Sequence, residues 1–231
     1  MSQSVTTKER ITFEEYRFYQ PESDVKYELF RGHLLPMAIP TALHSSICQY
    51  LVYKFQHYFA TTNLDLVAKT DIGVRTEVDT SRIPDVVVCS SSLWSGILNR
   101  PGSGIFDFEE IPNLVVEVTS ENWREDYIRK RAEYALIYIP EYWIVDPKKE
   151  QIWVLSHPEG EEGYDRQSYT RGQNFPSEQF PDLILSVDTL LAPPIVENLL
   201  REEQMQRQQL EAKSRRLEEK LREMGIDPDT I

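Results

Sequence analysis

At 231 residues, 40% of them apolar, the chain is sized for one globular domain and an appendage. No run approaches the ~20 apolar residues of a membrane helix, and the N-terminal MSQSVTTKERITFEEY lacks the apolar core of a signal peptide, so a cytoplasmic location without a membrane partner is expected. The formal charge is −13; residues 195–231 hold nine acidic against seven basic groups, so −11 of it belongs to the rest of the chain. That excludes a broadly basic surface and leaves a weak or localised grip on nucleic acid, or another substrate.

In chain order, TFEEYRFY (12–19) reads as a short helix capped by Thr12, with Glu15 three residues on and Pro21 ending it. KYELFRGHLLPM (26–37) places apolar residues on both sides of Arg31-Gly32, the pattern of a hairpin with a tight turn. From Thr41 to about Ala60, Leu43, Ile47, Tyr50, Leu51, Phe55, Tyr58 and Phe59 recur at three or four residues and predict an amphipathic helix covering one face of a sheet. LDLVAKTDIGVRT (64–76) reads as one or two strands. IPDVVVC (83–89) and NLVVEVT (113–119) are apolar, β-branched runs of the kind buried on both faces.

The stretch between those runs, 90–112, is rich in Ser, Gly and Pro and is expected to be loop with room for one helical turn. A helix from about Asn122 to Tyr138 then feeds the strand EYWIVDP (141–147), followed by an antiparallel pair at 151–157 and 163–170. Within that helix Ile128, Ala132, Ala135 and Ile139 mark the expected core stripe, with Lys130 on the other side at ~100° per residue. After Pro193-Pro194 the composition turns to Glu, Arg, Gln, Lys and Leu. A long polar helix over 195–231 follows, open to two readings: a partial coiled coil, or an exposed helix without a defined partner. Cys48 and Cys89 lack CxxC spacing and read as buried thiols.

Two residues stand out chemically. Asp85 opens one apolar strand and Glu117 lies inside another. A carboxylate there is costly unless it is paired, hydrogen-bonded or bound to a metal. Each alone is compatible with a buried salt bridge or a strand-end cap; together, on strands expected to be neighbours, they point towards a site.

The segments YELFRG (27–32), RIPDVVV (82–88), LVVEVTSENWREDYIRKRAEY (114–134) and IPEYWIVD (139–146) resemble the Uma-two family of restriction-type endonucleases, assigned to the PD-(D/E)XK nuclease superfamily. The resemblance spans residues 10–192 and implies an α/β fold: a restriction-endonuclease-like mixed β-sheet core flanked by helices, here with an extra N-terminal hairpin and the C-terminal helix. It implies metal-dependent phosphodiester hydrolysis of nucleic acid, DNA before RNA. Asp85 and Glu117 would ligate Mg²⁺ or Mn²⁺, hard cations that take oxygen ligands, and Glu28 would complete the metal shell. The superfamily motif has a Lys two residues after the second acid, where this chain has Thr119. Lys130 on the following helix would stand in, with Asp126 as its i,i+4 partner and Tyr134 supporting the site. His44 matches another recurring family position without a defined role. A homodimer aided by the C-terminal helix is the assembly considered. The alternative is a catalytically silent nucleic-acid-binding or assembly module on the same fold, which the charge of −13 favours.

Overall fold

The computed structural model describes residues 10–21, 25–120, 122–224 and 227, and the chain divides between Pro193 and Pro194 into two compact units. The first unit begins with α1 (Phe13–Arg17), β1 (Tyr27–Phe30), β2 (His33–Pro36), α2 (Ala42–Thr62), β3 (Leu66–Lys69), β4 (Gly73–Glu77), β5 (Thr80–Arg82) and β6 (Val86–Ser90). It continues with α3 (Ser91–Leu98), β7 (Ile105–Phe106), β8 (Leu114–Val118), a π-helical segment (Glu125–Lys130), α4 (Arg131–Leu136) and β9 (Glu141–Asp146). β10 (Gln151–Ser156), β11 (Asp165–Thr170), β12 (Asn174–Pro176), β13 (Ile184–Ser186) and α5 (Val187–Leu191) complete it. Among the described residues of the second unit is one helix, α6 (Val196–Glu223), with an i,i+4 ion pair between Glu211 and Arg215.

Local chemistry fixes several of these elements. Thr12 accepts from the Glu15 N–H while the Glu15 carboxylate accepts from the Thr12 N–H, a complete capping box at the start of α1. Between β1 and β2, Arg31 (φ 50°) and Gly32 (φ 81°) are both left-handed, the geometry whose twist matches a two-residue hairpin turn. Thr41 caps α2 by accepting from the His44 N–H.

The main sheet has the order β11-β10-β9-β8-β6-β3. Only β8 and β9 run parallel in it, so the chain must cross over between them, and the π-helical segment and α4 make that crossing. Alternate residues of the central strands face opposite sides. One side presents Trp143, which packs on Phe55 of α2 at 5.4 Å and on Phe175 at 5.2 Å. The other presents Val87, Cys89, Val115, Tyr142, Ile144 and Leu155 to Tyr127, Tyr134 and Ile139 of the crossover. With both faces covered, the strands carry the unbroken apolar runs noted above. A second, five-stranded sheet has the order β2-β1-β5-β4-β7 and delivers β1 and β5 to the site described below.

Two expectations give way. Residues 90–112 contain an eight-residue helix, α3, because Ser90 caps it through the Leu93 N–H and Ile97 buries in the core; the serines that suggested a loop include its cap. The stripe expected on the crossover helix holds only in its second half: Ala135 and Ile139 are buried in the core, but Ile128 is 59% exposed and Ala132 is exposed, and Asp126, Tyr127, Lys130, Glu133 and Tyr134 are buried as well. The i→i+5 bonding of a π-helix changes the angular step between residues, so a projection at the α-helical period puts the wrong side chains inside.

Phe55 has no exposure and touches Phe59, Trp143 and Phe180. Phe55→Ala should therefore cost about 3–5 kcal/mol, read as a lowered midpoint in urea unfolding with an unchanged slope.

Candidate active site

β6 and β8 are antiparallel neighbours with Val86 opposite Val116 and Val87 opposite Val115. Carried one residue further, this register sets Asp85 opposite Glu117 on one face of the sheet. The turn into β6 is held there by Asp85 itself, whose Oδ2 accepts from the Val118 N–H at 2.6 Å. Glu117 is buried, and its Oε1 accepts from the Tyr134 hydroxyl at 2.8 Å and faces the Lys130 ammonium at 3.0 Å.

Lys130 arrives from the last residue of the π-helical segment and is itself buried. Its Nζ lies 3.2 Å from Glu28 Oε1 and 3.6 Å from Asp126 Oδ1. Burial alone would lower its pKa, but Glu117, Glu28, Asp126 and Asp85 together hold it well above the ordinary lysine value. Burial drives the Glu117 carboxyl well above the ordinary range against the pull of Lys130, with Asp85, Asp126 and Glu28 adding to the rise. The two upward shifts are compatible because Lys130 answers to four carboxylates, whereas Glu117 has one cation and three like charges around it. Asp126 shows the same imbalance: burial, helped by Asp85 and Glu28, lifts it to about 6 despite Lys130.

Glu28 is differently placed. Oε1 accepts from the Ile83 N–H at 3.1 Å and meets Lys130, while Oε2 accepts from Arg82 at 3.1 Å. Burial opposes its charge, yet Lys130, Arg82 and the Ile83 N–H outweigh that and depress its pKa. Both oxygens of this expected metal ligand are thus already engaged. Arg82, with no exposure, also grips Glu133 through two bonds of 2.7 Å and lies 4.6 Å above the Phe30 ring. Arg82 and Glu133 were not singled out from sequence. The available signal was a pair of charges inside RIPDVVV and RKRAEY that no helix or strand pattern required.

His44, near the start of α2, directs Nε2 to Asp85 Oδ1 at 3.1 Å, and its Nδ1 lies 3.7 Å from Cys48 Sγ. Burial disfavours the imidazolium, but Asp85 more than offsets this and raises the pKa. One ligand atom each from His44, Cys48 and Asp85 falls within 4.8 Å of the others, which invites a soft or borderline metal. The chemistry disfavours it: burial, Asp85 and Glu117 push the Cys48 thiol up, keeping it protonated, and His44 turns a different nitrogen to each neighbour. The oxygen-rich side of Asp85, facing Glu117, suits a hard dication better. There Asp85, Glu117, Asp126 and Glu28 surround one lysine, and among the described residues Glu117 Oε2 takes no hydrogen bond.

The fold, mixed sheets flanked by helices, is of the restriction-endonuclease-like kind. The model of the Uma2 family, described as "Putative restriction endonuclease", matches residues 13–188, and the chain belongs to that family. Among solved structures, it is similar to a putative nuclease belonging to DUF820 from Anabaena variabilis, with a TM-score of 0.59 and 21% identity, covering 79% of this chain and 98% of that one; the likeness shows the fold. A comparison with curated proteins gives no match. No helix among the described residues is long and apolar enough to cross a membrane.

Two outcomes follow from these charges. Arg82→Leu leaves Glu133 without its cation and Glu28 with Lys130 alone, and should cost about 3–5 kcal/mol, most of it recovered in Arg82→Leu/Glu133→Leu when both are compared by chemical denaturation. Asp126 titrates at about 6 when folded against an ordinary 3.8. Folding therefore takes up a proton between those values, and metal-free stability falls as pH rises through them. Asp126→Asn should then stabilise the metal-free protein by up to ~3 kcal/mol near pH 8 and bring no gain near pH 3, measured as melting temperature against pH.

Proposed function

We propose that the chain is a divalent-metal-dependent endonuclease that hydrolyses phosphodiester bonds of nucleic acid, with DNA as the first substrate to test. The observation carrying this reading is the opposition of Asp85 and Glu117 on adjacent strands, with the Lys130 ammonium 3.0 Å from Glu117 and more carboxylate than cation around them. An excess of buried negative charge is unfavourable unless a cation enters, and oxygen donors select Mg²⁺ or Mn²⁺.

In this proposal Asp85 and Glu117 hold the ion. When bound it supplies Lewis-acid stabilisation of charge developing on the phosphoryl oxygens and lowers the pKa of an attacking water. Lys130 fixes the Glu117 carboxylate and balances charge, the task the superfamily motif gives to a lysine two residues after the acid. Tyr134, whose pKa burial and Glu117 hold well above the ordinary value, remains a neutral donor and orients the same carboxylate. Glu28 positions Lys130 and joins the ion only by exchanging one of its present partners. His44 holds Asp85 from the opposite side. Phosphodiester hydrolysis then needs water delivered to phosphorus and a proton passed to the departing oxygen. Local basic groups, not the net charge, must hold the polyanion.

Plasmid and single-stranded substrates should be cut in Mg²⁺ or Mn²⁺ and left intact in chelator. Asp85→Ala, Glu117→Ala and Lys130→Ala should each lower the rate by about 10²-fold or more. Without substrate, Mn²⁺ should raise the melting temperature of the unaltered chain and leave that of Glu117→Ala unmoved. Metal binding without cutting of any substrate would favour the silent binding module. Cutting that persists in chelator, or in Asp85→Ala, would remove the site assignment.

A further inference from the structure

Glu117 faces the same side of the sheet as Ile144 of β9, and Ile144 as Trp153 of β10. Two strand spacings of about 4.8 Å therefore separate the candidate carboxylate from an indole. On that side a row of rings and cations runs outward from the crossover. Lys149 Nζ lies 4.6 Å above the Trp123 ring and 4.2 Å above the Tyr127 ring, and the Arg124 guanidinium lies 4.8 Å from Trp123. Tyr127 meets Trp153 edge-on at 4.5 Å, and Arg166 of the edge strand β11 lies 4.4 Å above Trp153.

The row is anchored from below. Tyr127 donates its hydroxyl to Asp146 Oδ2 at 2.9 Å and accepts from Gln151 at 3.0 Å. Asp146 also accepts from the N–H groups of Lys148 and Lys149, so the β9–β10 turn that carries Lys149 is fixed in place. Trp123 is 37% exposed, and the Lys149 side chain, with its Nζ 3.4 Å from Asp146, is about half exposed. Asp146 is buried beneath the row, and the other acids close by have cations of their own: Glu150 pairs with Arg171, Glu125 with Arg129, and Asp165 lies beside His157.

The Trp123 ring packs edge-on against Tyr127 at 6.0 Å, yet more than a third of the residue stays exposed between an arginine and a lysine. In a chain of net charge −13, three cations, Arg124, Lys149 and Arg166, are set over the rings of this row. We propose that Trp123, Lys149, Arg124 and Arg166 form the contact surface for an unpaired segment of the nucleic acid, with bases stacking on the rings and phosphates taken by the cations. The partner's identity as nucleic acid rests on the nuclease reading above; its single-stranded character rests on the rings. A base can lie on an aromatic ring only when its own face is free, as in single strands. Exposed cation–π contacts are weak and flexible, so Lys149 and Arg124 can turn from the Trp123 ring to phosphate oxygens as a base takes their place. The row lies beside Asp126 and Lys130 on the same π-helical segment, which would bring a bound strand to the carboxylates.

The test is fluorescence anisotropy of a short labelled oligothymidylate and of a labelled duplex of equal length, titrated with the full chain in the Glu117→Ala background so that cutting cannot intervene. The single strand should bind more tightly than the duplex. Trp123→Ala should weaken single-strand binding about tenfold, ~1.4 kcal/mol, with Trp123→Phe restoring most of it and the melting temperature unchanged. Lys149→Gln should reduce the salt dependence of binding by about one counterion. Equal affinity for duplex and single strand, or no effect of Trp123→Ala, would overturn the proposal. The cutting assay separates the two readings: strand binding that needs Trp123 without any cutting leaves this surface standing and removes the nuclease, whereas cutting that needs Asp85 but not Trp123 does the reverse.

Discussion

A guanidinium removed wholly from water has to be met by anions, and the arrangement around Arg82 organises the first unit on that requirement. Arg82 ends β5 in one sheet, three residues before Asp85. It is answered by Glu133 from the crossover helix and by Glu28 from β1. Three segments far apart in sequence are thereby held at one point. Glu28 passes the constraint on, since its second oxygen receives the Ile83 N–H and Lys130. The position of Lys130 against Glu117 is in this way tied to the second sheet as well as to its own helix. Breaking such a network is costly because the charges left behind remain buried.

Next to this balanced group lies an unbalanced one. Around Lys130 the carboxylates outnumber the cations, and burial, reinforced by that excess, raises Glu117 and Asp126. The contrast with Glu28, whose pKa is depressed, separates a carboxylate met by two cations and a backbone N–H from carboxylates whose burial and like-charged neighbours outweigh one lysine. Stability and site chemistry pull in opposite directions here, as is common where buried acids are gathered for a task. The π-helical segment belongs to the same logic, since it turns Asp126 and Lys130 inward together with the tyrosine that begins the aromatic row.

Much of the local structure was legible in the chain because its causes are local. The capping box of Thr12 and Glu15, the Arg31-Gly32 turn and the Thr41 cap depend on residues within a few positions of one another. The apolar runs around Val87 and Val115 announced strands covered on both faces. Where the reading failed, the cause lay elsewhere in the fold. The serines before Leu93 signal a loop or a helix start equally well, and the docking of Ile97 decides for a helix. Ile128 stands in water because the face of its helix that covers the sheet is reserved for Lys130, Glu133 and Tyr134.

The sequence alone singles out the candidate groups. The carboxylates of Asp85 and Glu117 sit in apolar strands where an acid is conspicuous, and Lys130 was reached through a resemblance to a family. What each can do was decided only by tertiary structure. Register across β6 and β8 sets the two acids face to face, and the π-helical segment brings Lys130 to 3.0 Å from Glu117. Arg82, Glu133 and Glu28 are joined across two sheets and a helix, and the aromatic row unites Trp123 with Trp153 and Arg166 from separate elements. The physical reason is one of range: capping, turns and periodicity act over a few residues, whereas charge pairing and ring contacts act through space, between groups whose separation along the chain says nothing of their distance.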